Sequence, residues 1–279
     1  MENHVFAAVL LAALLHAGWN TLVKVGLDRL STMLLLALVQ AAIALPLIPF
    51  VPAPSPEAWP WIAGAAALHA GYKIFLAQAY AHADLSQAYP VARGTAPVIV
   101  LLVSATVLGA RFETAAIASV GAISAGLILM AVKGGGATPL RGKGLAYALG
   151  TAGFTAGYTL VDGVGAKVAD TASGFILPMV VGDAVLMCGY AVALRGGSAF
   201  RSLGSAWKSG TAAGAMSLGS YWIAVWAFTQ APIALVAALR ESSILFAVLI
   251  AVLLLGERVS PWRWVSIGLI ACGVALMKL

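Results

Sequence analysis

The sequence places ionisable side chains at helical spacing inside long apolar runs. His16 and Asn20 lie four positions apart in one run, and His69 and Lys73 do so in another. Residues three or four positions apart share one face of a helix. A charged side chain at the middle of a membrane span costs about 2.5–3.5 kcal/mol on insertion scales, so its retention needs a partner or a function. The pattern therefore predicts side chains that line a shared polar cavity.

The predicted cavity would suit a small zwitterion or organic anion. A cation such as Lys73 can bind a carboxylate, and aromatic rings can pack against a side chain or lie over an ammonium group. Lys73 is the leading candidate to bind the carboxylate of the substrate, because it lies in the middle of its apolar run. The structural alternative is that Lys73 forms an ion pair with Glu241 or Asp183 of the protein. The candidate side chains are ionisable, amide or aromatic groups from six of the runs: His16, Trp19, Asn20, His69, Tyr72, Lys73, Tyr80, Arg93, Tyr158, Trp222, Trp226, Arg240 and Glu241.

Structural roles are the alternatives for several of these side chains. Arg93 and Arg240 would, in that case, bond backbone carbonyls and hold two halves of the protein together. The two histidines of the set would form hydrogen bonds between helices. The two tryptophans near position 224 would belong to an aromatic belt at the membrane surface.

The composition determines the class of protein in which these residues sit. Of 279 residues, 62% are hydrophobic and 9% are charged, and the mean hydropathy is +0.98. Soluble domains have roughly 45–50% apolar and 25% charged residues, so too few charges are present to cover a soluble surface. This excludes a water-soluble enzyme, a nucleic-acid-binding protein and a disordered chain. The net charge of +6 is explained by cations in loops between membrane spans.

Hydropathy divides the chain into ten predicted spans joined by short loops. We expect an all-α polytopic membrane protein whose ten transmembrane helices form two inverted five-helix repeats. The repeats would cover residues 1–133 and 143–279, with a linker at 134–142. The predicted spans are 4–24, 32–51, 58–81, 87–109, 113–132, 143–163, 173–194, 208–229, 233–255 and 261–278.

An internal repeat supports this division. Residues 108–111 (LGAR) match residues 255–258 (LGER) at an offset of 147, and the same offset pairs Arg93 with Arg240. Five spans is an odd number, so the second repeat must cross the membrane in the opposite sense to the first. Inverted repeats are typical of transporters that expose one central site to each side in turn. A duplicated bundle without transport is the structural alternative.

The cations divide unequally between the two faces that this topology predicts. Cytoplasmic loops are enriched in Lys and Arg, so the richer face is predicted to be cytoplasmic and both termini periplasmic. Ten cations lie on the richer face: Lys24, Arg29, Lys133, Arg141, Lys143, Arg195, Arg201, Lys208, Arg258 and Arg263. Three lie on the other: Arg111, Lys167 and Lys278.

The repeat, the span count and the LGER turn resemble the drug/metabolite transporter superfamily, and within it the ten-span EamA-type exporters. Glycine pairs five apart, such as Gly121 and Gly126, follow that turn in both repeats, as in those exporters. Ala110 departs from the pattern, which has Glu there. The chain is most similar to the YddG-like amino-acid exporters. The resemblance implies secondary export of small metabolites, often amino acids, across a bacterial inner membrane.

Two alternatives to amino-acid export follow from the same residues. One is a drug exporter or a sugar-phosphate or nucleotide-sugar carrier of the same superfamily. The other is a membrane-embedded enzyme, against which the sequence has no His/Glu metal set, nucleophile elbow or pair of catalytic carboxylates. We therefore expect no enzyme activity, cofactor or metal. The expected partners of a monomer are a small-molecule substrate and membrane lipid, with no nucleic acid.

Overall fold

The computed structural model describes residues 1–22, 28–133, 140–253 and 260–278, with the backbone alone described at Leu85. Within those residues the regular secondary structure is entirely helical, which confirms the predicted fold class. The α-helices are α1 (Asn3–Leu22), α2 (Arg29–Leu47), α3 (Trp59–His82), α4 (Leu85–Thr106), α5 (Thr114–Lys133), α6 (Gly142–Val168), α7 (Ala172–Arg195), α8 (Trp207–Gln230), α9 (Ile233–Arg240), α10 (Ser243–Leu253) and α11 (Pro261–Leu276). The LGER turn at 255–258 lies outside the described residues.

The predicted ninth span, residues 233–255, is divided into two helices, which corrects the expectation of one continuous helix. α9 ends at Arg240 and α10 begins at Ser243. Between them, the amide groups of Glu241 and Ser242 bond three residues back, both at 3.0 Å. This is the tighter 3-10 pattern, which inside a helix often marks a hinge. Counting α9 and α10 as one interrupted span leaves the ten spans that the sequence predicts.

Side-chain caps explain where several helices begin. The Asp28 carboxylate accepts hydrogen bonds from the amides of Leu30 and Ser31 at the start of α2. Thr171 caps α7 in the same way, and Ser260 caps α11. Such caps satisfy backbone donors that have no partner within the helix. The helix boundaries are therefore encoded locally.

The helices differ in how apolar they are. Six segments are long and apolar enough to cross a membrane: Asn3–Leu22, Arg29–Phe50, Ser86–Thr106, Thr114–Lys133, Ala172–Phe200 and Ile233–Leu253. α3, α6 and α8 have 24, 27 and 24 residues, which is long enough to span, yet they fall outside this group. These three helices carry many of the polar side chains of the central site, so their weaker hydropathy reflects what they line. α11 is apolar but has 16 residues.

Helix packing repeats between the two halves. α3 packs along α6 and α7, and the equivalent α8 packs along α1 and α2. Two further extensive contacts join equivalent helices to each other, α2 to α7 and α5 to α11. Each of these contacts therefore either has a counterpart in the other half or joins two counterparts. This is the arrangement expected of two copies related by a two-fold axis.

The two repeats run in opposite directions. The start of α1 lies beside the end of α8, where the rings of His4 and Trp226 are 6.1 Å apart. The start of α6 lies beside the end of α3, so close that a Cβ on Gly144 would lie 2.9 Å from the His82 carbonyl oxygen. α3 runs parallel to α1 and ends at the face opposite the start of α1. The first face is called the N-terminal face below, and the second the opposite face.

α5 and α11 cross at a contact to which the two helices contribute equivalent residues. A Cβ on Gly126 would lie 2.8 Å from the carbonyl oxygen of Ser266. A Cβ on Gly273, which follows Gly126 by 147 positions, would lie 2.8 Å from the carbonyl oxygen of Ser119, again 147 positions before Ser266. Glycine therefore allows each backbone to approach the other at equivalent points.

Candidate functional site between the repeats

Within the described residues, six charged residues are buried among the helices, and none is more than 8% exposed. Three are cations and three are carboxylates: Lys73, Arg93, Arg240, Asp162, Asp183 and Glu241. Buried charges are costly unless they are paired and hydrogen-bonded. The partner of each charge therefore determines what the site can bind.

Lys73 of α3 forms a hydrogen-bonded ion pair with Asp183 of α7. Asp183, and not Glu241, is thus the carboxylate beside Lys73. The other oxygen of Asp183, Oδ1, is buried and has no hydrogen-bond partner among the described residues. At the equivalent contact of α8 with α2, Gln40 Nε2 donates to Ser217 Oγ at 3.0 Å. One helix contact is therefore held by an ion pair and its counterpart by a neutral hydrogen bond.

Arg93 of α4 ties the first repeat to the interrupted span of the second. Its Nε lies 2.7 Å from Glu241 Oε2, and its Nη2 donates to Ser243 Oγ at 3.4 Å. Both partners lie at the break between α9 and α10. Arg93 therefore does join the two halves, but through a carboxylate and a hydroxyl and not through the backbone carbonyls that the sequence suggested.

Arg240, the counterpart of Arg93, has a different environment. Its side chain lies at the end of α9 with its guanidinium carbon 5.0 Å from the centre of the Tyr221 ring. Within the described part of the chain, no carboxylate lies within 4.0 Å of it, because the neighbouring Glu241 is paired with Arg93. The residue is 7% exposed, and it lines two internal cavities. A buried guanidinium thus faces a cavity without a carboxylate partner.

Asp162 of α6 is the third carboxylate, and it is 0% exposed. Its Oδ2 lies 2.9 Å from His69 Nε2 of α3 and accepts a hydrogen bond from the Tyr221 hydroxyl of α8. Its Oδ1 is buried and has no hydrogen-bond partner among the described residues. Three helices therefore meet at one carboxylate.

Tyr221 stands between the two charges that have no direct ion-pair partner of their own. Its ring lies against Arg240, and its hydroxyl group donates to Asp162. The ring of His69 is stacked on Tyr158, with centroids 4.1 Å apart. The cavity thus has a positive end at Arg240, a negative end behind His69, and tyrosines in between.

A cavity of about 70 Å³ lies at the centre of this arrangement. All the helices that line it, apart from α9, belong to α1–α3 and to α6–α8. Its polar wall is formed by His16, Gln40, His69, Tyr72, Lys73, Tyr158, Asp183, Ser217, Tyr221 and Arg240. Both repeats contribute, as expected for a site on the axis that relates them.

A larger cavity of about 470 Å³ adjoins the central one. His16, Trp19 and Met33 line both cavities. The larger cavity extends to Arg29 and Asp84, which are exposed at the opposite face. The larger cavity therefore extends from that face to side chains that also line the central cavity.

The structure divides the predicted site residues into groups. Around the central cavity lie His16, Trp19, His69, Tyr72, Lys73, Tyr158 and Arg240. Asn20 and Tyr80 line the larger cavity, and Arg93 and Glu241 line a small cavity next to Arg240. Trp222 and Trp226 lie towards the N-terminal face: Trp222 donates to Ser173 Oγ at 3.0 Å, and Trp226 contacts His4.

Six polar residues at the described site were not in the predicted set: Gln40, Asp162, Asp183, Ser217, Ser220 and Tyr221. The roles of Asp162 and Asp183 were ambiguous in the sequence, because each depends on partner side chains on other helices, which a single apolar run does not reveal. Tyr221 lies four positions after Ser217 and so shares its helix face, a spacing that could have revealed it. Gln40 is a lone amide in the middle of an apolar run, which is also a signal.

The family model for the EamA-like transporter family matches residues 5–132 and 142–279, which is nearly all of the chain. The chain belongs to the EamA-like transporter family. It is therefore a multi-pass membrane transporter of the drug/metabolite transporter superfamily.

A solved structure titled only "Crystal structure of protein" has the same fold as this EamA-like chain. The two share 22% sequence identity with a TM-score of 0.73, and the match covers 99% of this chain and 96% of the other. No curated protein matches the sequence. The family and the fold are thus shown.

Proposed function

We propose that this chain exports small zwitterionic metabolites, with amino acids as the main class, across a bacterial inner membrane by alternating access. The observation that carries the proposal is the separation of Arg240 from Asp162 by Tyr221. A bound carboxylate would give Arg240 the charged partner that it lacks, with bidentate hydrogen bonds as the favoured geometry. An α-ammonium group would lie towards the tyrosines and the negative end of the cavity.

The charge balance favours a zwitterion over the alternative substrates. The three buried cations are matched by three buried carboxylates. A sugar phosphate brings about two negative charges and would be expected to need several free cations, whereas Lys73 and Arg93 are already paired. A lipophilic cation would need a free carboxylate on the cavity surface, and Asp162 lies behind His69 and Tyr221.

The open cavity suits export. It reaches the face where the sequence has ten of its sixteen Lys and Arg residues, which by the positive-inside rule is the cytoplasmic face. An exporter must be open to the cytoplasm when it takes up its substrate. On this assignment both termini are periplasmic, and the N-terminal face is the closed one.

Counterflow in proteoliposomes tests the proposal. Purified full-length protein would be reconstituted with unlabelled substrate inside and labelled substrate outside. The panel would contain glycine, leucine, phenylalanine, lysine, glutamate, glucose 6-phosphate and tetraphenylphosphonium. We expect at least one zwitterionic amino acid to exchange and the last two compounds not to. If glucose 6-phosphate or tetraphenylphosphonium exchanges and no amino acid does, the substrate is a sugar phosphate or a lipophilic cation, and the proposal is wrong.

A matched pair of arginine variants connects the flux to the site. Arg240→Gln should slow exchange of the amino acid at low concentration by weakening its binding, whereas Arg111→Gln, in an exposed loop, should exchange like the wild type. If both variants exchange at the wild-type rate, Arg240 does not bind the substrate carboxylate.

A further inference from the structure

The geometry around Asp162 points to a second ligand of the central cavity, a proton. We infer that His69 and Asp162 together form a proton-binding site whose proton is exchanged for substrate during transport. The proton site itself stands on the local geometry, and the exchange rests on the function proposed above.

The two side chains are arranged to share one proton. His69 Nε2 lies 2.9 Å from Asp162 Oδ2, which is hydrogen-bonding distance. A proton on His69 can be donated to that oxygen and makes an imidazolium–carboxylate pair. Asp162 Oδ1 has no partner among the described residues although it is buried. The carboxylate is thus only partly satisfied when His69 carries no charge.

The proton can reach this site from the cavity. The His69 side chain is 12% exposed and lines the central cavity, whereas the Asp162 side chain is 0% exposed and lies behind it. The imidazole therefore separates the carboxylate from the cavity. Histidine is the side chain whose charge ordinarily changes between about pH 5 and pH 8.

The neighbouring charges make the site distinct from the other two acidic positions. Asp183 and Glu241 are paired with Lys73 and Arg93. Asp162 has only His69 as a basic partner within 4.0 Å among the described residues. The other titratable or charged groups that surround the His69–Asp162 pair come from each helix packed against it: His16 of α1, Tyr72 of α3, Tyr158 of α6, Tyr221 of α8, Arg240 of α9, the Arg93–Glu241 pair and the Lys73–Asp183 pair.

A proton on this pair and a bound amino acid would compete. Protonation adds one positive charge to a cavity of about 70 Å³ that already contains the unpaired Arg240. The ammonium group of the substrate would be placed against the same tyrosines that contact His69. Two positive charges close together in a poorly solvated site repel each other. Substrate binding would therefore release the proton, which produces exchange in opposite directions.

A proton-uptake titration tests the site without any substrate. Detergent-solubilised full-length protein would be titrated from about pH 8 to about pH 5, the range of histidine. We expect His69→Gln to take up about one proton fewer than the wild type. Asp162→Asn should show the same deficit, because the pair would no longer have a carboxylate with which to share the proton. His82→Gln, an exposed histidine at the end of α3, calibrates the loss of one ordinary histidine.

The proton site would be overturned if His69→Gln took up as many protons as the wild type. It would also be overturned if Asp162→Asn did so while remaining monodisperse, because the pair would then share no proton. Should Asp162→Asn fail to fold, an Asp162→Glu variant that takes up the proton would support the site. The same variant with the full one-proton deficit would count against it. Neither outcome depends on which substrate is carried.

A gradient experiment tests the exchange. Proteoliposomes that are acidic inside should take up the amino acid found by counterflow about tenfold faster than those without a gradient, a difference of about 1.4 kcal/mol. Relative to its own rate without a gradient, His69→Gln should lose this acceleration, whereas His82→Gln should keep it. Equal acceleration in His69→Gln, or faster uptake with acid outside, would refute the exchange. Absence of counterflow in the wild type would instead refute the proposed substrate and leave the titration to decide the proton site.

Discussion

Arg93 and Arg240 occupy equivalent positions in the two repeats but have opposite roles in the bundle. Arg93 lies in the unbroken α4 and is paired with Glu241 and Ser243. Arg240 ends a helix and lies over the aromatic ring of Tyr221. It also faces two cavities. Glu241, which follows Arg240 in the sequence and could have neutralised it, is paired with Arg93. The difference teaches that one copy of a duplicated residue can hold the repeats together while the other remains free for a ligand.

The comparison is tested most directly at Arg93. Arg93→Met leaves Glu241 buried and unpaired, and breaking a buried pair in this way costs about 3–5 kcal/mol. We expect a large fall in melting temperature, measured on the detergent-solubilised protein. The double variant Arg93→Met/Glu241→Met should regain most of that loss. If the single variant is as stable as the wild type, Arg93 is not the residue that joins the repeats.

Lys73→Met should have the next largest effect. It leaves Asp183 without its cation, and Asp183 Oδ1 already has no partner within the described residues. A loss of a few kcal/mol is expected for removing one member of a buried pair. Thermal stability and counterflow should be measured on the same sample. Lost transport with unchanged stability would mean that Lys73 binds substrate, as the sequence first suggested.

Arg240→Gln should leave the fold nearly intact and weaken substrate binding. Within the described residues no carboxylate pairs with Arg240, so its removal strands no opposite charge. A hydrogen bond to a charged group contributes about 1.5–3 kcal/mol, which corresponds to roughly 10- to 100-fold in affinity. The concentration of amino acid that half-saturates counterflow should rise by that factor. A melting temperature that falls as far as in Arg93→Met would remove the contrast between the two arginines.

Gln40→Ala should have a smaller effect than Lys73→Met at the equivalent helix contact. Gln40 donates one neutral hydrogen bond to Ser217, and such bonds contribute about 1 kcal/mol. Thermal unfolding of the two variants side by side measures the difference between an ion pair and a neutral bond in one setting. Equal losses would indicate that the two contacts are energetically equivalent.

Asp28→Asn should have the smallest effect, and the effect should become smaller in acid. A hydrogen bond from Arg195 at 3.0 Å, assisted by Ser31, holds the pKa of Asp28 well below its usual value. Because the folded protein favours the charged form, the stabilisation is complete above about pH 4 and is lost gradually as the pH falls from there towards the lowered pKa. Both side chains are 41–48% exposed, so screening limits the contribution to about 0–1 kcal/mol. Melting temperatures of both proteins at neutral pH and at about pH 3 give the comparison.

The fold was largely predictable because its signals are local or periodic. Apolar runs gave the spans, the offset of 147 that links Arg93 to Arg240 gave the repeat, and an odd number of spans required the inversion. The break after Arg240 was not predictable. The run from Ile233 to Leu253 is uniformly apolar apart from residues 240–243, and no proline lies within it. The helix is interrupted where Glu241 turns to pair with Arg93, which is a tertiary contact.

The candidate site was predictable in its residue types and not in its pairings. Lys73 and Arg240 stood out because each is a charge in an apolar run. Which acid lies beside each of them depends on the rotation and spacing of helices that are far apart in sequence. Asp183 is 110 positions from Lys73, and a single sequence gives no measure of that distance. The residue expected to bind the substrate carboxylate is therefore Arg240 in the proposed function, and not Lys73 as the sequence indicated.

The crossing of α5 and α11 has a mechanical consequence. The contact looks the same from Gly126 as from Gly273, so it is unchanged when the two repeats trade conformations. The contacts of Arg93 and Arg240 instead join unlike groups, so the same exchange would require them to rearrange. We therefore expect the glycine crossing to act as a fixed pivot during alternating access.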